Sequence, residues 1–169
     1  MQRNWSSLIR PKRVDVDEAT HTRFYGEFTI QPLERGFGIT LGNALRRVLL
    51  SSIQGAAIIS VKIDGVLHEF TTIPGIKEDV TDIILNLKGV RFKLGQANIK
   101  EVSIDVSRAG EVTAADIMTD GTVEILNPEH HIATLSSGSF KAKMMVKMGK
   151  GYVPAKKELD PDQPKGTIN

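Results

Sequence analysis

The stretch "ERGFGITLGNALRRVLLSS", residues 34–52, holds the residues of this chain best suited to chemistry. It opens with glycines and closes as an amphipathic helix carrying two adjacent arginines. Backbone N–H groups at a glycine-rich turn ahead of a helix make a ready phosphate site. A dinucleotide fingerprint needs G-x-G-x-x-G between strand and helix. Gly36 and Gly38 fit, but Leu41 takes the third glycine's place and the glycine comes at 42. A P-loop needs Gly-Lys-Ser/Thr, which is absent; Gly149-Lys150-Gly151 fails because glycine follows the lysine. The plainer reading gives Gly36 and Gly38 a sharp strand-to-helix turn, and lets Gly42 admit another backbone. A phosphate- or nucleotide-binding enzyme using Gly36–Gly42 remains the alternative.

Other residue types offer less. His130 and His131 are adjacent, so on a strand they face opposite ways and do not chelate together. His21 and His68 stand apart, and "HEFTT" is not H-E-x-x-H. Without cysteine or a carboxylate at helical spacing, no metal site is assigned. Glu78, Asp79 and Asp82 read as a solvated helix start stabilised by the dipole. No Ser-x-Gly elbow or Ser/His/Asp set stands out around Ser136, Ser137 and Ser139. The sequence shows no recognisable active site and implies no cofactor.

The helix itself is informative. With Leu41 at zero and 100° per residue, Ala44, Leu45, Val48 and Leu49 fall within about 80° of it. That is one broad apolar face. Opposite it lie Arg46, Leu50, Asn43 and Arg47 in angular order. Leu50 between two arginines is either a stray surface leucine or an aliphatic anchor flanked by Arg, a frequent interface composition. The pattern alone leaves both open. Arg46 and Arg47, with the lysines of "FKAKMMVKM", also permit a direct nucleic-acid binder, although no further basic residue extends the patch along the helix.

The surrounding elements follow from periodicity. Phe24, Gly26, Phe28 and Ile30 share a parity, so 23–31 reads as a strand ended by Pro32. Thr40 is the cap candidate for the helix, and Gln54-Gly55 breaks it. "AAIISVKIDGVLHEF" reads as two β-runs joined by a type I′ turn at Asp64-Gly65. After a Pro74-Gly75 turn, Val80, Ile83, Ile84 and Leu87 mark a helix, with Lys88 at its end and Gly89 as a left-handed cap. "VRFKL" and "NIKEVSIDVSR" flank Gly95-Gln96, and Val102, Ile104 and Val106 alternate. Asp120-Gly121 turns the chain into "TVEIL". In "FKAKMMVKM", Phe140, Ala142, Met144, Val146 and Met148 share one face. Lys141, Lys143 and Lys147 share the other, read as a solvated strand face. "PAKKELDPDQPKGTIN" reads as a polar tail.

The expectation is an α+β fold with mixed, mostly antiparallel sheets and a boundary between Ser52 and Gly55. With 169 residues, 40% of them hydrophobic, the chain is long enough for one good core or two small ones. Its 22 Lys+Arg against 20 Asp+Glu leave a net charge of only +2, short of the clustered excess of a strongly basic nucleic-acid binder. The absence of cysteine removes disulfides and thiolate ligands. No apolar run approaches a membrane span, and "MQRNWSSLIRPKR" lacks the apolar core of a secretory signal. A soluble cytoplasmic protein is expected.

"LERGFGITLGNALRRVLLSS" closely resembles the signature of the bacterial RNA polymerase alpha subunit in its N-terminal assembly domain. "IDGVLHEF", "GIKEDVTDIILNLKG", "VTAADI", "DGTVEILNP" and "GKGYVPA" follow in the family's order and spacing, over essentially the whole chain. The resemblance implies a non-catalytic scaffold subunit that dimerises and nucleates assembly, one copy meeting the beta subunit and the other beta-prime. It implies that the helix at 36–52, begun before Thr40, is a dimerisation helix with Leu41, Ala44, Leu45, Val48 and Leu49 on its inner face. It places Arg46, Arg47 and Leu50 in the beta contact, and Lys88 in large-subunit contact, chiefly with beta-prime. Residues 1–52 would form the first half of the dimerisation domain and 53–169 an inserted β-rich domain. In the family the chain then returns to complete the first domain and continues to a DNA-binding domain. A chain ending at Asn169 is expected to be a fragment without direct DNA contact.

Overall fold

The computed structural model describes residues 7–95, 98–154 and 164–169. The chain divides into two compact units, Met1–Ser52 and Ile53–Asn169.

In the first unit, β1 (Arg13–Val16) and β2 (Phe28–Gln31) form an antiparallel ribbon with Val14 opposite Ile30. The strand expected over 23–31 is half that length. Thr22 prevents the rest: its N–H donates to the Tyr25 carbonyl at 2.8 Å, and its hydroxyl accepts from the N–H groups of Phe24 and Tyr25. This side-chain turn outcompetes the ladder, and Phe24 is left 84% exposed. Helix α1 spans Phe37–Ser52. It begins three residues before Thr40 because Gly36, at φ 87°, turns the chain so that the Phe37 N–H meets the Glu34 carbonyl. No side-chain cap at Thr40 is needed.

The second unit is built on a seven-stranded sheet. Its order is β7 (Ile117–Met118), β5 (Ile99–Val106), β10 (Phe140–Lys150), β3 (Gln54–Ile63), β4 (Phe92–Leu94) and β8 (Val123–Ile125), with β11 (Thr167–Ile168) also on β3. Every strand pairing among the described residues is antiparallel. A separate ribbon, β6 (Gly110–Thr113) with β9 (His131–Leu135), and helix α2 (Val80–Lys88) share the core with the sheet. The core joins Val80, Ile83 and Leu87 of α2 to Val102, Ile104 and Val106 of β5 and to Phe140, Ala142, Met144 and Val146 of β10. Each fully buried Val, Leu, Ile, Phe or Met side chain contributes roughly 1.5–3 kcal/mol.

The hairpin expected at Asp64-Gly65 does not form. Gly65 has φ 78°, but Asp64 does not have positive φ, and a type I′ turn requires it at both positions. The Val66 N–H closes the turn on the Ile63 carbonyl, and residues 66–70 leave as an irregular segment. β3 has no edge to offer them. β10 pairs with it from Gln54 to Ile63, and β4 and β11 take the other edge at Ala56 and at Val61–Lys62. The polar end expected to be a tail therefore contributes a strand, with Ile168 packed on the core. Residues 155–163 of that segment and Gln96 of the Gly95-Gln96 turn lie outside the described residues.

Candidate functional site

Helix α1 carries eight of the nine residues assigned to contacts. None of its residues is buried; Leu41 is half-buried, and Leu45, Val48, Leu49 and Leu50 are 49%, 55%, 58% and 63% exposed. Ala44, Arg46 and Arg47 are exposed. Among the described residues no carboxylate pairs with Arg46 or Arg47. The first unit thus presents a helix with aliphatic side chains on one side, and two arginines flanking Leu50 on the other.

The glycines do not make a phosphate loop. Only Gly36 precedes the helix, while Gly38 lies in its first turn and Gly42 in its second, so the three glycines do not line one loop. A Cβ on Gly42 would meet nothing within 4 Å among the described residues, so the surface there is open in the single chain.

Lys88, the ninth residue, belongs to the second unit, exposed in the last turn of α2. The helix is fixed at both ends. Asp79 caps it by accepting from the Asp82 N–H at 2.7 Å. At the exit, buried Asn127 donates to the Gly89 carbonyl at 3.0 Å and accepts from the Arg91 N–H at 2.8 Å. Gly89 is right-handed, at φ −78° and ψ −14°, not left-handed as expected. The small residue there makes room for His130, whose Nε2 lies 2.8 Å from the Asn86 carbonyl oxygen.

Two of the three strand lysines are paired with carboxylates. Lys141 pairs with Asp105 directly across β5 at 3.0 Å, and Lys143 lies 3.9 Å from Glu101. Such exposed pairs add little stability, but they leave only Lys147 of this face without a carboxylate partner among the described residues, short of a basic strip for nucleic acid.

The carboxylate reading needs correction at one position. Asp79 and Asp82 stay exposed, but the Glu78 side chain is 15% exposed. It accepts from the Thr134 N–H at 2.6 Å and the Thr134 hydroxyl at 2.8 Å, and contacts His131 Nε2 at 3.1 Å. Burial pushes this carboxyl up, yet the hydrogen bonds from Thr134 and His131 outweigh it and hold Glu78 below its ordinary value. His131 Nδ1 lies 2.8 Å from Glu111 Oε1. Sequence spacing missed this group because its members come from 78, 111, 131 and 134.

The family described as RNA polymerase Rpb3/RpoA insert domain matches residues 61–169. The chain belongs to that family. The resemblance drawn from the motifs extends beyond the insert domain to the whole sequence. A protein from Syntrophus aciditrophicus (strain SB), named DNA-directed RNA polymerase subunit alpha, is 69% identical over 170 residues, covering 100% of this chain and 49% of the relative. Proteins of the same name from Geobacter metallireducens and Lawsonia intracellularis are 57% and 58% identical, over 99% and 98% of this chain and 50% and 48% of theirs. The chain spans about half the length of the curated relatives it matches. The insert-domain match covers most of the second unit, including α2 with Lys88, and the identity to the alpha subunits also covers α1. Among the described residues no helix is long and apolar enough to cross a membrane.

Proposed function

We propose that this chain is a non-catalytic assembly scaffold of DNA-directed RNA polymerase, acting in the cytoplasm as part of a nucleotidyltransferase complex whose chemistry resides in other subunits. The observation that carries this reading is 69% identity across the whole chain to a polymerase alpha subunit. Residues 1–52 act as part of a dimerisation domain and 53–169 as the inserted domain. Leu41, Ala44, Leu45, Val48 and Leu49 meet a second copy. Arg46, Arg47 and Leu50 meet the beta subunit, and Lys88 meets a large subunit, chiefly beta-prime. The exposed aliphatic side chains of α1 support a contact role, since an apolar stripe of this kind seeks cover. The pairing of Lys141 and Lys143 with carboxylates argues against nucleic acid as the partner, and the lone pre-helical glycine against a nucleotide. The test is reconstitution from purified subunits: the chain should be captured by the beta subunit and should not retain nucleotide or duplex DNA. Nucleotide binding, or salt-sensitive DNA binding without beta capture, would overturn the reading.

A further inference from the structure

We propose that Glu78, His131 and Glu111 form a proton-dependent latch that fastens the segment leading into α2 to the β6–β9 ribbon. Both ring nitrogens of His131 face carboxylate oxygens, Nδ1 toward Glu111 at 2.8 Å and Nε2 toward Glu78 at 3.1 Å. A neutral imidazole carries one N–H and leaves a lone pair on the other nitrogen. Against two ionised carboxylates, only the doubly protonated ring donates on both sides. Loss of one proton turns one contact into lone pair against oxygen, and the bridge between β6 and the segment opens.

The backbone is shaped for this arrangement. His131 and Thr134 differ in parity, so on a regular strand they would face opposite sides. β9 carries an extra residue: Thr113 pairs with His131 and Val112 with Ala133, leaving Ile132 unpaired. That bulge lets His131 and Thr134 both reach Glu78. The Thr134 carbonyl also accepts from the Lys77 N–H at 3.0 Å, and Ile76 bridges to Leu135. The charged groups around the ring are Glu78 and Glu111; Lys77 adjoins Glu78 on the segment, and Arg108 is bound to Asp116 at 2.7 Å. His130 points to the Asn86 carbonyl instead. Glu78 supplies a lasting negative charge, held below its ordinary value by its donors. Asp79, the cap of α2, is the next residue. The latch therefore passes the proton occupancy of one ring to the first turn of the helix that carries Lys88.

Hydrogen exchange of the full 169-residue chain tests this, with rates corrected for intrinsic pH dependence and compared at roughly pH 6 and pH 8. The amides of Lys77 and Thr134 should lose several-fold more protection at the higher pH than Met144 of β10. In Glu111→Gln and in His131→Gln this contrast should vanish. Nitrogen-15 spectra should show both ring nitrogens of His131 protonated at the lower pH. Glu111 is exposed, so its variant reports even where the His131 variant fails to fold. The proposal is overturned by a single neutral tautomer across the range, by equal loss at Lys77, Thr134 and Met144, or by a pH contrast that survives in Glu111→Gln.

Discussion

The backbone of Gly89 lies directly beneath the imidazole of His130: a Cβ on Gly89 would sit 2.5 Å from Nε2 and 2.6 Å from Cε1. The ring cannot swing away without giving up its 2.8 Å contact with the Asn86 carbonyl. Because Gly89 has right-handed backbone angles, alanine there meets a steric obstacle and no backbone strain. Gly89→Ala is expected to destabilise the chain by about 1–3 kcal/mol, the usual cost of overpacking. Urea unfolding of Gly89→Ala, His130→Ala and the double variant separates the causes. A steric clash predicts strong coupling, with alanine at 89 costing little once the ring is gone. Additive losses would instead place the cost in the backbone.

Glu78 predicts an acid limb of stability. Its carboxyl titrates below its ordinary value in the folded chain, so its contribution is fully present above the unfolded value. It is lost as pH falls through the lower, folded value. Denaturant midpoints measured from roughly pH 7 down to pH 3 should fall more steeply for the native chain than for Glu78→Gln. Near neutrality Glu78→Gln should be the less stable, since an amide replaces an acceptor that serves the Thr134 N–H, the Thr134 hydroxyl and His131. Parallel acid limbs in the two proteins would remove Glu78 as the cause.

The second unit should fold without the first. Its core draws only on residues from Ala56 onward, and the complete seven-stranded sheet lies within it. A chain of residues 53–169 is expected to melt cooperatively and to resist limited proteolysis, with early cuts confined to its ends. Rapid cutting within 80–148 would show that the sheet needs residues before 53.

These elements differ in how far the sequence alone reveals them. Phe140, Ala142, Met144 and Val146 alternate and are all buried, because β10 is central and regular on its own side. β3 does not alternate so simply. Its register with β10 passes from Ser60 to Ile58 across consecutive residues Met145 and Val146, leaving Ile59 as an extra residue. The inward side therefore changes from Ala56 and Ile58 to Val61 and Ile63, which no single period expresses. Asp64-Gly65 carries a strong local hairpin signal, but long-range pairing had already claimed both edges of β3. The same holds for the candidate site. The residues of α1 could be named from helical period and motif resemblance because they are contiguous. Glu78, Glu111 and His131 could not, since a bulged strand pair and the segment before α2 bring them together from distant parts of the sequence.

The two sides of α1 should separate in a variant series. Leu45 and Leu49 are 49% and 58% exposed in the single chain, so Leu45→Asp and Leu49→Asp need not bury a charge within it. They should leave the melting of the second unit unchanged and abolish self-association, read by sedimentation across a concentration series, if this side meets another copy. In an assembled dimer the same Leu45→Asp buries an unpaired charge and should cost several kcal/mol. Arg46→Ala, Arg47→Ala and Leu50→Ala should shift stability by about half a kcal/mol or less and leave self-association intact. They should weaken capture by purified beta subunit by about 1–4 kcal/mol, the range of interface anchors. Lys88→Ala, on α2, should spare both self-association and beta capture and weaken binding of beta-prime. Normal beta capture by all three variants of the arginine side would remove it as a contact surface. Loss of self-association in those variants together with the leucine variants would mean that α1 is gripped all round by one partner, and that the division into two faces is wrong.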